Sequence, residues 1–170
     1  MRPLQVQGFT LVELLVAIAV LGVLISVAVP TFNQTMAQQR LRSVASELRL
    51  SLSLARSEAV KRAETITMSP RSTDWSLGWA VTAADGEALS EFVMPSGVTL
   101  SDEPASALSF NRWGRTSSCP AFELATTAGN DTCQICLQVT TDGRVLTTAG
   151  TCPESCATSD SEHPWGDACS

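Results

Sequence analysis

The chain has 170 residues, enough for one domain with a modest core or for one domain plus a long projecting element. Charged residues make up 16 %, and seventeen acids against eleven bases give a net charge of −6 at pH 7. The only histidine, His163, lies in a tail rich in Ser, Asp and Glu, so a histidine-dependent catalytic triad is disfavoured, and we expect no enzyme, no cofactor and no metal.

The charge is unevenly distributed. Residues 31–63 carry six bases against Glu47 and Glu58, whereas the stretch from Glu64 onward has fourteen acids and only four bases. This predicts a basic shaft and a strongly acidic head. Because an acidic head repels phosphate backbones at long range, general binding of nucleic acid is disfavoured.

The first long element is an apolar run near the N-terminus. Residues 9–29 read FTLVELLVAIAVLGVLISVAV and contain a single charge, Glu13. As a helix this run would span about 31 Å, which matches the hydrocarbon core of a membrane. It is too long for an ordinary secretory signal peptide. A plain membrane anchor leaves the carboxylate of Glu13 unexplained, at roughly 3 kcal/mol or more near the bilayer centre.

A third interpretation explains the glutamate. Residues 8–13, GFTLVE, resemble the type III signal of type IV prepilins and type II secretion pseudopilins. The resemblance implies cleavage after Gly8 by the prepilin peptidase on the cytoplasmic face, followed by N-methylation of Phe9. It also implies that Glu13 pairs with the N-terminal amine of a neighbouring subunit during assembly, since a carboxylate and an amine that are both buried in lipid neutralise each other favourably.

Beyond Pro30 the pattern changes to an amphipathic helix. Its apolar stripe, with steps of three and four residues, is formed by Leu41, Val44, Leu48, Leu52, Ala55 and Ala59. We therefore predict one helix from about Phe9 to Arg62, roughly 80 Å long. Pro30 and Gly22 weaken it. They predict a kink at the membrane surface or, by analogy with pilins, a segment that stretches or melts in the filament; both interpretations stay open.

After residue 62 the pattern becomes strand-like. Two Asp-Gly pairs, Asp85-Gly86 and Asp142-Gly143, are typical of hairpin turns. The predicted strands are 65–68, 77–82, 88–94, 98–100, 108–110, 122–125, 135–140 and 145–148. Short strands with frequent turns predict an α+β fold, in which an antiparallel sheet or small sandwich packs on the amphipathic half of the helix.

Four tryptophans lie in this head. We expect Trp75, Trp79 and Trp113 to be core or sheet-flanking residues rather than a ligand-binding face. Trp165 lies in the polar tail and is expected to be the most exposed.

The cysteines are confined to the last third of the chain: Cys119, Cys133, Cys136, Cys152, Cys156 and Cys169. The pairs Cys133-x2-Cys136 and Cys152-x3-Cys156 superficially match a zinc ribbon. A head delivered to the oxidising periplasm would instead form disulfides, and three are expected. Six cysteines allow fifteen pairings, so the connectivity stays open. Without cross-links the polar tail from Gly150 onward should be disordered.

Four short strings narrow the resemblance. Residues 54–62 (LARSEAVKR) resemble the end of the long helix in the GspH, FimT and FimU group of minor pilins and pseudopilins. Residues 74–81 (DWSLGWAV), 110–115 (FNRWGR) and 142–145 (DGRV) are similar to strings in the head of that group and occur in the same order.

The resemblance implies a type IV pilin-like fold with a disulfide-bonded C-terminal region. The expected organisation is a leader at residues 1–8, a membrane and filament-core segment at 9–29, an amphipathic segment at 30–63 and a periplasmic head at 64–170. The chain would reside in the inner membrane with its head in the periplasm, and then in a filament. Expected partners are the prepilin peptidase, the inner-membrane assembly platform, and major and minor pilins or pseudopilins that contact the N-terminal helix.

Three functions are compatible with the resemblance. The first is a minor pilin that helps to initiate or cap a type IV pilus, and the second is the corresponding minor pseudopilin of type II secretion. The third is a DNA receptor for natural transformation, because some FimT-like proteins bind DNA through a C-terminal G-R-x-R element. The matching residues here are 143–146, GRVL, so the second arginine is missing and Arg144 could contact one phosphate at best.

Overall fold

The computed structural model describes residues 9–104, 107–128 and 131–156. Within these ranges the chain forms one long helix followed by eight strands. The helix, α1, is Leu11–Arg62. The strands are β1 Ile66–Arg71, β2 Asp74–Thr82, β3 Ala88–Val93, β4 Thr99–Asp102, β5 Leu108–Phe110, β6 Ala121–Ala128, β7 Asp131–Val139 and β8 Val145–Ala149.

Helix α1 has a defined cap at each end. Thr10 has extended backbone angles and its Oγ1 accepts a hydrogen bond from the backbone N–H of Glu13, as an N-cap residue does. Phe9 therefore lies outside the helix, which begins at Leu11, two residues after the predicted start at about Phe9. At the other end Ala63 is left-handed (φ 54°) and its N–H donates to the carbonyl of Ala59, so the predicted end at Arg62 is confirmed.

The strands form two antiparallel sheets of four strands each. The first has the order β3-β2-β1-β5 and the second β4-β6-β7-β8. The two predicted Asp-Gly turns are confirmed, since β2 and β3 pair across Asp85-Gly86, and β7 and β8 pair across Asp142-Gly143. The predicted α+β architecture is confirmed as well.

Several strands are longer than the sequence indicated. Strand β1 was predicted to end at residue 68 but continues through Pro70, which pairs with Trp79 of β2. On its other side β1 pairs with β5 only as far as Met68, so Pro70 has a neighbouring strand on one side only, as is typical of proline in a strand. Strands β6 and β7 also extend beyond the predicted ranges because their pairing continues to Ala128 and Asp131.

The core lies between the amphipathic half of α1 and the two sheets. The predicted apolar stripe is buried, with Leu41, Leu48 and Leu52 fully inaccessible. Trp79 is also in the core, where its Nε1 donates to Ser51 Oγ at 2.9 Å and its ring stacks on Phe92. The expectation of a core position is confirmed for Trp79 and for Trp75, which is 3 % exposed.

Candidate assembly site and head surface

The N-terminal turn of α1 is where the assembly residues were predicted. Glu13 lies in this first turn, where the partial positive charge of the helix end favours a carboxylate. Its side chain is exposed, and no cation in the described ranges pairs with it. Phe9 is 78 % exposed. Gly8 lies outside the described residues.

The first half of α1 carries a continuous apolar surface that the head does not cover. Eleven large apolar side chains between residues 11 and 26 are each more than half exposed: Leu11, Val12, Leu14, Leu15, Val16, Ile18, Val20, Leu21, Val23, Leu24 and Ile25. A surface of this size marks a site of contact with protein or lipid. In the part of the chain that the structure describes, no helix meets the length and apolarity required for a membrane span.

The helix continues through Gly22 and Pro30 without ending. A bend at these two residues stays a prediction.

Glu13 and the head are far apart along α1. The buried stripe begins at Leu41, twenty-eight residues after Glu13, which is a distance of about 42 Å along a helix.

Two loops of the head meet the C-terminal part of α1. Arg56 donates from Nη2 to the backbone carbonyl of Asp142 at 3.1 Å, which fixes the β7–β8 turn on the helix. Gly143 in that turn has φ +79°, and a Cβ there would lie 1.9 Å from the carbonyl oxygen of Gly114. Gly114 in turn lies against Val60 and Arg56. The two family-like strings, FNRWGR and DGRV, thus form one contact with the helix.

The loop at residues 111–116 is organised by the side chain of Asn111. Its Oδ1 accepts hydrogen bonds from the backbone N–H groups of Trp113 (3.0 Å) and Arg115 (3.1 Å). This arrangement turns Trp113 outward, and the side chain is 68 % exposed. The guanidinium of Arg112 lies over its ring, 5.2 Å from the centroid. The expectation that Trp113 packs in the core or against the sheet is therefore wrong, because the tryptophan belongs to a tight loop rather than to a strand.

The β7–β8 turn also fixes the arginine considered for DNA contact. Nε of Arg144 lies 3.0 Å from Oδ2 of Asp142. The hydroxyl of Thr140 donates to the carboxylate of Asp142, and this hydrogen bond, together with the charge of Arg144, lowers the pKa of Asp142. The carboxylate is therefore ionised at neutral pH and competes with any phosphate for Arg144.

Disulfides connect the C-terminal segment to the second sheet. Cys136 pairs with Cys152, and Cys119 pairs with Cys156, at sequence separations of 16 and 37. Cys133 is disulfide-bonded as well, while Cys169 lies outside the described residues. Four of the cysteines that form the zinc-ribbon pattern or flank it are thus paired in these two disulfides, as the disulfide prediction expects. Trp165 also lies outside the described residues.

A buried carboxylate, which the sequence analysis missed, reinforces this connection. Glu123 is 9 % exposed and its Oε1 accepts from Ser101 Oγ (2.6 Å) and Gln134 Nε2 (3.2 Å). Its Oε2 accepts from the backbone N–H of Cys152 at 3.0 Å. The only signal in the sequence was the position of this glutamate within the apolar string AFELA. Such a glutamate is buried only if its carboxylate oxygens have hydrogen-bond partners.

Comparisons with known proteins agree with this geometry. The family model described as type II transport protein GspH matches residues 44–143, and the model of the prokaryotic N-terminal methylation motif matches residues 4–29. The chain therefore belongs to the GspH family, and its fold is that of a type IV pilin-like subunit.

Two solved structures also match this fold. Two crystal structures of the type IV minor pilin FimU from Pseudomonas aeruginosa strain PAO1, in space groups P21 and P65, are 25 % identical to the chain. The first has a TM-score of 0.54 and the match covers 70 % of this chain and 96 % of that one. The second has a TM-score of 0.53, with 68 % and 99 % covered. No curated protein matches.

Proposed function

We propose that the chain is a minor type IV pilin, a structural subunit that helps to initiate or cap assembly of a pilus. The observation that carries the proposal is the combination of a methylation motif at residues 4–29 with a GspH-type head whose fold resembles that of the minor pilin FimU. Such a subunit assembles through a helix that packs among the helices of other subunits and a head that contacts other heads.

The proposed mechanism starts at the N-terminus. Prepilin peptidase cleaves after Gly8, and Phe9 becomes the methylated first residue. The charge of Glu13, exposed and unpaired within the described chain, is then available to the amine of a neighbouring subunit. Since both groups are desolvated in the inner membrane or the filament core, their pairing fixes the axial position of the new subunit.

Membrane anchoring belongs to the same proposal. Two observations support it: the apolar side chains of residues 11–26 are exposed, and the apolar sequence continues through residue 29. We infer that this surface lies first in the inner membrane and then among the helices of the filament, with the head in the periplasm. The contact with the assembly platform follows from that location.

The variant Glu13→Gln tests the proposed role of the carboxylate, because it removes the charge and keeps the shape. We expect leader cleavage to be retained and the amount of the subunit in sheared filaments to fall at least about tenfold, as an uncompensated amine in an apolar environment costs several kcal/mol. The matched control is Glu47→Gln on the same helix, which should assemble normally. Normal assembly of Glu13→Gln would contradict the amine-pairing role.

A second candidate function is that of a minor pseudopilin in type II secretion, favoured by the description of the matching family. The two candidate subunits would assemble by the same mechanism, one into a type IV pilus and the other into the filament of a type II secretion system. A deletion strain scored for twitching motility and for secretion of type II substrates separates them. We expect loss of motility with secretion retained; the reverse result would assign the chain to the secretion machine.

A further inference from the structure

The head carries a cluster of cations around one exposed tryptophan, which the proposed assembly mechanism does not use. We name it the basic–aromatic patch, formed by Arg56, Val60, Arg112, Trp113 and Arg115. Its parts are close together because Gly114 lies against the side chains of Arg56 and Val60. The loop at 111–116 therefore sits directly on the last turns of α1.

The three arginines of the patch are not neutralised by the chain itself. Arg62 at the end of α1 and Arg71 in β1 form ion pairs with carboxylates, but in the described ranges none of the patch arginines does. Arg56 bonds to a backbone carbonyl, and Arg112 lies over the ring of Trp113. The carboxylate of Asp142, whose backbone carbonyl Arg56 binds, is engaged by Thr140 and Arg144. The patch is therefore positive on a head that is acidic as a whole.

The patch also has exposed apolar side chains and two open grooves. Trp113 is 68 % exposed and Val60 is 53 % exposed, on the only described part of the head where a tryptophan faces solvent. An open groove of about 540 Å³ is lined by Arg56, Val60 and Gly143. A second, of about 580 Å³, is lined by Asn111, Trp113 and Arg115. Exposed tryptophan and arginine side chains are the residues that contribute most to protein interfaces.

We propose that the basic–aromatic patch docks an acidic segment on the head of a neighbouring filament subunit. The guanidinium groups bind the carboxylates of that segment in planar, bidentate geometry, and Trp113 packs on the backbone and aliphatic carbons between them. This inference rests on the proposed function, which places heads side by side.

Charge complementarity identifies the occupant. From Glu64 onward the chain has ten more acids than bases, and exposed carboxylates occur at Asp85, Glu103 and Glu154. A head with such an excess of acids carries carboxylates for the patch arginines to bind. Three unpaired arginines match a short segment with two or three carboxylates. A nucleic-acid backbone would extend beyond the patch into the negative field of the rest of the head.

The test is site-specific photo-crosslinking in the native host, with the full-length protein. p-Benzoylphenylalanine is placed at position 113, where it keeps an aromatic ring, and in a second variant at Ser117, which is exposed and leaves Trp113 intact. After irradiation the cross-linked peptide is identified by mass spectrometry. We expect a segment of another filament subunit that contains at least two Asp or Glu residues.

Charge reversal provides the control. The variant Arg115→Glu should reduce the cross-link from position 117 at least about fivefold, because attraction becomes repulsion. Arg71→Glu changes the net charge equally on another part of the head and should leave the yield unchanged. Replacing the acids of the captured segment with Lys should restore the cross-link to Arg115→Glu.

Four results would overturn the inference: a nuclease-sensitive adduct, a captured segment without acids, equal effects of the two reversals, or no adduct from either position. Its failure is distinguishable from failure of the proposed function. Filaments that contain the subunit but give no adduct reject the patch alone, whereas normal assembly of Glu13→Gln rejects the assembly role of Glu13 and leaves the adduct unaffected.

Discussion

Gly143 occupies a position that no other residue could fill without displacing its surroundings. Its φ of +79° disfavours any side chain, and the carbonyl oxygen of Gly114 occupies the place of a Cβ. Arg56 holds the same turn from the helix. At the scale of single residues, this close approach of two loops to α1 positions the basic–aromatic patch.

The variant Gly143→Ala separates backbone strain from steric collision. Gly86 has a similar φ of +89° with no atom within 4 Å of a Cβ, so Gly86→Ala reports strain alone, about 1 kcal/mol. We expect Gly143→Ala to lower the free energy of unfolding by about 1–3 kcal/mol more than this control. The measurement is urea unfolding of the detergent-solubilised mature chain. Equal effects of the two variants would show that the loops are not in close contact.

Helix α1 is one element with two different surfaces. From residue 11 to 26 its large apolar side chains are exposed, whereas from Leu41 onward one stripe is buried under the sheets. Under the proposed function the first surface contacts lipid or other subunits, whereas the second packs under the sheets and stabilises the head. Loss of apolar contacts in the two halves should therefore have different consequences, for assembly in the first and for stability in the second.

The two leucines Leu48 and Leu50 test the second surface. Leu48 is fully buried and Leu50 is 61 % exposed on the opposite side of the same turn. Leu48→Ala should destabilise the chain by about 2–5 kcal/mol, since it removes buried methyl groups and leaves a cavity. Leu50→Ala should change the free energy of unfolding by less than about 0.5 kcal/mol. Similar values for both would show that the head does not pack on this face.

The sequence predicted those features that depend on residues close together in the chain. The period of the apolar stripe located the buried face of α1, and Asp85-Gly86 and Asp142-Gly143 located two hairpin turns. Trp113 was placed wrongly because its environment depends on the side chain of Asn111 and on contact with a helix fifty residues away. Glu123 was missed because its hydrogen-bond partners come from three separate segments, which no local pattern records.

Two disulfides attach the described segment after β8, residues 150–156, to the rest of the head. The segment after β8 has few apolar residues to bury, and is attached through Cys136–Cys152, Cys119–Cys156 and the hydrogen bond from Cys152 to Glu123. In the chain-entropy model the shorter bridge stabilises the fold by about 3 kcal/mol.

The double variant Cys136→Ser, Cys152→Ser should therefore lower the free energy of unfolding by about 3 kcal/mol. The matched variant Glu123→Gln keeps the bridge but replaces one carboxylate oxygen with an amide NH2 group, so at least one of the hydrogen bonds that Glu123 accepts is lost, and its effect should be smaller, about 1–2 kcal/mol. Urea unfolding of both chains under non-reducing conditions gives the comparison. A larger loss in Glu123→Gln would assign the attachment of the tail to the carboxylate rather than to the disulfide.

The proposed function requires that the chain is processed at Gly8 and enters a filament through α1. Mass spectrometry of filaments sheared from the native host measures both. We expect a chain in the filament fraction that begins at Phe9 and carries one methyl group on its amine. A chain that retains its first eight residues and is found only outside the filaments would contradict it.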